Sequence, residues 1–118
     1  MQHWKLYEIE TPDGVRSPVV LHSQDGEGRV VLIALEPGQK LGDHEVKEAA
    51  LLLVVSGEAR VEAGGDVIVA VAGDLLRFDP AERRTVSSDG GARILLTLSP
   101  WPGVGHYRGD EPAGTTAS

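Results

Sequence analysis

Valine, isoleucine and leucine recur along this chain in short runs, each closed by glycine, aspartate or proline. That rhythm favours strands of about 5–8 residues over helices. Nine segments fit it: "KLYEI" (5–9), "PVVLHS" (18–23), "RVVLIALE" (29–36), "LLLVVSG" (51–57), "EARVEA" (58–63), "VIVAV" (67–71), "DLLRFD" (74–79), "RTVSS" (84–88) and "RILLTLS" (93–99). Turn chemistry separates them at Pro12-Asp13-Gly14, Asp25-Gly26, Pro37-Gly38, Gly64-Gly65-Asp66, Gly73-Asp74 and Asp89-Gly90-Gly91. Regularly spaced strands and turns predict an all-β, antiparallel sandwich or barrel. One segment competes, because "DHEVKEAALLL" contains good helix formers. Strand-turn-strand is preferred there, since Val54 and Val55 carry the run straight into Ser56-Gly57.

The pattern fades in "WPGVGHYRGDEPAGTTAS", which fills with glycine, proline and small polar residues. The expected organisation is one domain over residues 1–108 and a flexible tail over 109–118. A length of 118 residues suits one core better than two.

Composition narrows the function classes. A net charge of −7 argues against a nucleic-acid partner, which needs a concentrated basic patch, and Arg83-Arg84 is too small for one. No apolar run approaches the ~20 residues of a membrane-spanning helix. The N-terminus has no basic segment leading into an apolar one, so a cytoplasmic location is the expectation. With no cysteine there is no thiolate ligand, no cysteine nucleophile and no disulfide.

"HEVKE" at 44–48 begins like the zinc-protease motif H-E-x-x-H, but Glu48 stands where the second histidine belongs. No nucleophile elbow or phosphate loop is present.

Two glycine-framed blocks stand out instead. Gly38, five residues, His44 and a closing Gly57 form the first; Gly73, five residues, Asp79-Pro80-Ala81, two residues and Arg84 form the second. "SGEARV" follows the first block and "AGDLLRF" opens the second. This arrangement resembles the small single-domain cupins, whose motifs read G-x5-H-x-H-x3/4-E-x6-G and G-x5-P-x-G-x2-H-x3-N, and it covers residues 25–99. The resemblance implies an antiparallel jelly-roll β-barrel with a metal held by two histidines and a glutamate of the first motif and one histidine of the second. Here only His44 keeps its place. Val46 and Ala50 occupy the other first-motif positions, with Leu51 as the alternative to Ala50, and Arg84 takes the place of the second-motif histidine.

One imidazole does not hold a first-row metal, and a fixed guanidinium repels a dication, so no metal and no other cofactor are expected. If the strand face bearing His44 and Val46 lines the barrel, as the resemblance implies, His44 and Arg84 share one cavity walled by "LIALE" and "LLLVV". Such a cavity suits an anionic small molecule, for example a carboxylate. A filled core with Arg84 paired to Glu48 or Asp79 is the competing picture. His106 and Tyr107 are further candidates at the barrel mouth, whereas His22 reads as a satisfied or surface histidine.

Four functions stay open. The first is metal-independent binding of a small anion through His44, Arg84, Glu48 and the neighbours named above. The second is a metal-independent isomerase, epimerase or lyase on a small acid or sugar, with His44 as base and Arg84 holding the developing anion. A metal-dependent oxygenase or isomerase using His44 with His22, Glu48 or His106 as further ligands is the third, and a sensory or interaction module the fourth. A homodimer is expected, because Trp4, Leu6 and Ile9 lie outside the motif blocks and would stay exposed in a monomer.

Overall fold

The computed structural model describes residues 1–11, 18–44 and 46–103, with the backbone alone for residues 42–44. Eight strands run through them: β1 (Val19–Gln24), β2 (Gly28–Leu35), β3 (Lys40–His44), β4 (Ala49–Ala63), β5 (Asp66–Val71), β6 (Leu75–Phe78), β7 (Arg84–Ser87) and β8 (Ala92–Ser99). Every pairing is antiparallel. The order is β1-β2-β8-β4-β7-β3, with β5 and β6 also on β4. This is the curled, all-strand architecture that the short runs predict, and no helix occurs among the described residues, so the helical reading of "DHEVKEAALLL" is set aside.

β4 joins the two layers. Its first half pairs with β8 and β6, its second half with β7 and β5. The chain changes layers at a bulge after Val54, next to Gly57 at φ +77. A Cβ at Gly57 would sit 2.2 Å from the Gly91 carbonyl oxygen, so only glycine lets β4 approach the start of β8 this closely. Two expected strands, 51–57 and 58–63, are therefore one: Ser56-Gly57 reads as a turn in sequence but acts as a bend within a continuous strand.

Two further corrections concern strand existence. Residues 5–9 form no strand; Glu8 N–H donates to the Lys5 carbonyl at 2.9 Å, closing a turn. That segment is tied down by side chains instead: Tyr7 Oη–H donates to the Val55 carbonyl at 3.0 Å, and Arg93 Nη1 donates to the Ile9 carbonyl at 2.9 Å. Conversely, β3 carries Gly42 and Asp43, poor strand formers, and exists because β7 offers it an edge.

The core fills the space between the layers. Strand β8 alternates buried and partly buried residues along Ala92, Ile94, Leu96 and Leu98, and these meet Val31, Ile33 and Leu35 of β2 and Leu52, Val54 and Val61 of β4. The same alternation on β7 turns Arg84 and Val86 inward while Thr85 and Ser87 face outward. A charged side chain thus takes a core position. β5 is the opposite case, with Val67, Ile68, Val69 and Val71 all exposed.

Candidate functional site

Arg84 opens β7 and is only 3% exposed. Its Cα is in register with His44 of β3 on one side and with Ala63 of β4 on the other. The guanidinium lies over the Phe78 ring, its Cζ 4.6 Å from the ring centroid. Phe78 reaches that position because β6 alternates, placing Leu76 and Phe78 inward and Leu75 and Arg77 outward. The contact offsets part of the desolvation of the cation.

The hydrogen-bonding side of the guanidinium has no such compensation. Nη1 and Nη2 are both buried and neither has a hydrogen-bond partner among the described residues. Burial lowers the Arg84 pKa below its ordinary value, and the negative charge of Glu82 opposes that shift. Arginine nonetheless keeps its proton in proteins, so the chain buries a cation with two unmatched donor groups. A buried charge in that condition costs several kcal/mol.

The two carboxylates expected to pair with Arg84 act elsewhere. Glu48, 1% exposed, stands in the bend before β4, and its Oε2 accepts from Gly103 N–H at 2.7 Å. Asp79 pairs with Arg77 at the surface. The filled-core picture, in which Arg84 is neutralised by Glu48 or Asp79, is therefore not what these residues form.

The remaining candidates separate. Val46 follows the end of β3 and packs against the core, and its carbonyl accepts from Ala81 N–H at 2.7 Å. It is not on β3 with His44, so the expected common strand parity of the two does not apply. Ala50 lies fully inside, in register with Phe78 and Leu98. Leu51 points the other way and is exposed. His22, half-exposed on β1, sits 3.5 Å from Glu27 Oε1, as a surface histidine would. The side chain of His44, and all of His106 and Tyr107, lie outside the described residues.

A cavity of about 310 Å³ shares Ala63 and Phe78 with the surroundings of Arg84, which is itself not part of its lining. Val61, Ala63, Ile68, Leu76 and Phe78 give it apolar walls, and Asp66, Arg77 and Glu82 are also among its lining. Phe78 and Ala63 belong to both features, one stacked on the guanidinium and the other paired with Arg84 across the ladder. A smaller space of about 200 Å³ at the Gly64-Gly65 turn is lined in part by Arg84 itself. Phe78 and Glu82 were not singled out from the sequence; the signal for Phe78 was its place as the single phenylalanine of the chain on the inward parity of "LLRF".

No group of three or more histidine, aspartate or glutamate side chains able to hold a metal occurs among the described residues. A sequence profile described as "Cupin domain" matches residues 31–98. A comparison with curated protein sequences gave no match. Among solved structures, an uncharacterised conserved protein with a double-stranded β-helix domain from Klebsiella pneumoniae superposes with a TM-score of 0.75 at 20% identity, covering 86% of this chain and 92% of that one. An RmlC-like cupin from Shewanella frigidimarina gives 0.70 at 23% identity, covering 86% and 94%. A cupin-superfamily protein from Desulfitobacterium hafniense gives 0.69 at 20%, covering 76% and 82%. At these identities the likeness is one of fold.

Proposed function

The chain belongs to the cupin family, and from that premise we propose that it binds a small anionic molecule in the barrel interior without a metal, with Arg84 as the anchor and His44 as the second contact. One observation carries the reading: a guanidinium 3% exposed whose Nη1 and Nη2 have no partner among the described residues. An anion accepts from both donors and cancels the buried charge, which removes the main penalty of the ligand-free state.

The donor set at the family's metal positions does not fit a metal. Val46 and Ala50 offer no side-chain donor and are packed against or within the core. Arg84 places a permanent cation there. No step of this reading passes through a metal.

Calorimetric titration of wild type and Arg84→Leu with small carboxylates tests the proposal. Binding to wild type and none to the variant is the expected result. Equal affinities would make Arg84 a structural residue.

A second reading draws on the register of the ladder, which sets Arg84 of β7 opposite His44 of β3. In it His44 takes a proton from a small acid or sugar while Arg84 stabilises the resulting anion, as in an isomerase, epimerase or lyase. Turnover of a bound ligand that stops in His44→Gln, with binding retained, would select this reading over simple binding.

A further inference from the structure

We infer that two copies of this chain pair edge to edge along β5, antiparallel, with Ile68 on the two-fold axis. The edge itself is the first observation. Among the described residues β1, β3, β5 and β6 each pair with one neighbour alone. Three of these carry features that keep an edge from pairing. β1 breaks register between Val20 and His22 and ends in polar residues, β3 carries Lys40 and Asp43 on an irregular register, and β6 is four residues long and carries Arg77. β5 has six residues in unbroken register, and its one charged residue is Asp66 at the end.

The second observation is which backbone groups β5 leaves over. Gly64 and Gly65, at φ +59 and +87, close a two-residue turn that pairs Ala63 with Asp66. Hydrogen-bonded pairs then alternate along the ladder, at Val61 with Ile68 and Ala59 with Ala70, so the N–H and C=O of Val67, Val69 and Val71 point away from β4. Those of Val71 are bonded within the chain: its N–H donates to Asp74 Oδ2 and its carbonyl accepts from Asp74 N–H, both at 2.9 Å. Val67 and Val69 are left, with two donors and two acceptors that meet no other strand among the described residues.

A second copy of the same edge satisfies all of these groups at once. With Ile68 on the axis, Val67 faces the partner's Val69 and Val69 the partner's Val67, and each facing pair exchanges both of its hydrogen bonds. Centring on Val69 would set Val67 against the partner's Val71, whose groups are already bonded, and centring on Val67 would set Val69 against the partner's Gly65 in the turn. The side chains agree with the Ile68 register. Ala70 is fully buried, so β5 turns Asp66, Ile68 and Ala70 inward and the three valines outward, where each is about half exposed. In the pair the valines of both copies form one stripe, Ile68 meets the partner's Ile68, and Asp66 falls opposite the partner's Ala70, so no like charges are opposed. Asp66 and Ile68 also line the cavity of about 310 Å³, and the partner's Ile68 adjoins that lining.

The chain has no cysteine, so a single introduced one reads the register directly. Across the axis the two Ile68 Cα atoms stand about 4.5 Å apart, within disulfide reach, whereas the two Val69 residues are diagonal neighbours about 7–8 Å apart and beyond it. Ile68→Cys and Val69→Cys, each oxidised at micromolar concentration and run on a non-reducing gel, test the pairing. Ile68→Cys should give at least about fivefold more reducible dimer than Val69→Cys, although Val69 is the more exposed of the two. Equal yields would mark random collision and overturn the inference. A dimer formed by Val69→Cys alone, or by neither variant, would overturn it as well, the last outcome leaving the edge to a strand of a different protein.

Discussion

Arg84 and Phe78 are a single structural unit: the guanidinium carbon stands 4.6 Å from the ring centroid, and both residues are buried. Among the described residues, the ring is the contact that compensates the buried cation on that face. Phe78→Leu should therefore act twice. It removes core volume, costing about 1–3 kcal/mol, and it frees the guanidinium to move, weakening carboxylate binding by about fivefold or more. Denaturant unfolding and calorimetry on the same variant check both parts, and unchanged binding would separate Phe78 from the site.

The bend in β4 gives a prediction about the scaffold. Gly57→Ala places a Cβ against the Gly91 carbonyl oxygen at a residue with φ +77. Destabilisation of at least about 2 kcal/mol is expected, measured as a lowered denaturant midpoint with an unchanged slope.

Ala81 behaves in the opposite sense. It occupies the second block's P-x-G glycine position, yet has φ +65 and donates its N–H to the Val46 carbonyl at 2.7 Å. Ala81→Gly should relieve left-handed strain and stabilise the chain by about 0.5–1 kcal/mol, and a lower melting temperature would contradict this.

These positions show how much of the fold could be read in advance. The jelly-roll class and the two glycine-framed blocks were legible, because strand runs and turn residues are local signals. The segment at 5–9 was misread because its apolar residues suit a strand, whereas whether a strand forms depends on an edge to pair with. β4 was split in two because Gly57 looks the same in sequence whether it ends a strand or bends one. At the site, Arg84 was legible as a replaced ligand position, but its inward direction and lack of a partner depend on β7 parity and on where Glu48 and Asp79 turn. The stacking with Phe78 needed the pairing of β6 with β4.

The pH dependence of anion binding should separate Arg84 from His44. A lowered Arg84 pKa means that the folded state binds fewer protons than the unfolded state just below the ordinary arginine value, so Arg84 affects stability only at strongly alkaline pH, where stability rises with pH. Through neutral pH the guanidinium stays charged. Any rise in carboxylate affinity as pH falls toward about 6 must then come from another group gaining a proton, and the reading assigns it to His44. His44→Gln should weaken binding and flatten that profile; an unaltered profile would remove His44 from the site.

The β5 pairing takes the place of the contact expected of the N-terminal segment, which Arg93 and Val55 hold against its own chain. Val67, Ile68, Val69 and Val71 are each about half exposed on a strand whose pairing among the described residues is with β4 alone. Sedimentation should give twice the 12.5 kDa chain mass for wild type and a monomer for Val69→Lys. A wild-type monomer at micromolar concentration would contradict this.

The central claim is that the chain tolerates a buried cation with two unmatched hydrogen-bond donors in order to hold an anion, and thermal unfolding of wild type and Arg84→Met, each with and without butyrate, tests it most directly. Exchanging an unpaired buried charge for an apolar side chain should stabilise the ligand-free protein by about 1–4 kcal/mol, a rise of about 4 °C or more in Tm. Butyrate should raise the Tm of wild type and leave that of the variant unchanged. A variant that melts lower than wild type, with the same response to butyrate in both proteins, would contradict the account.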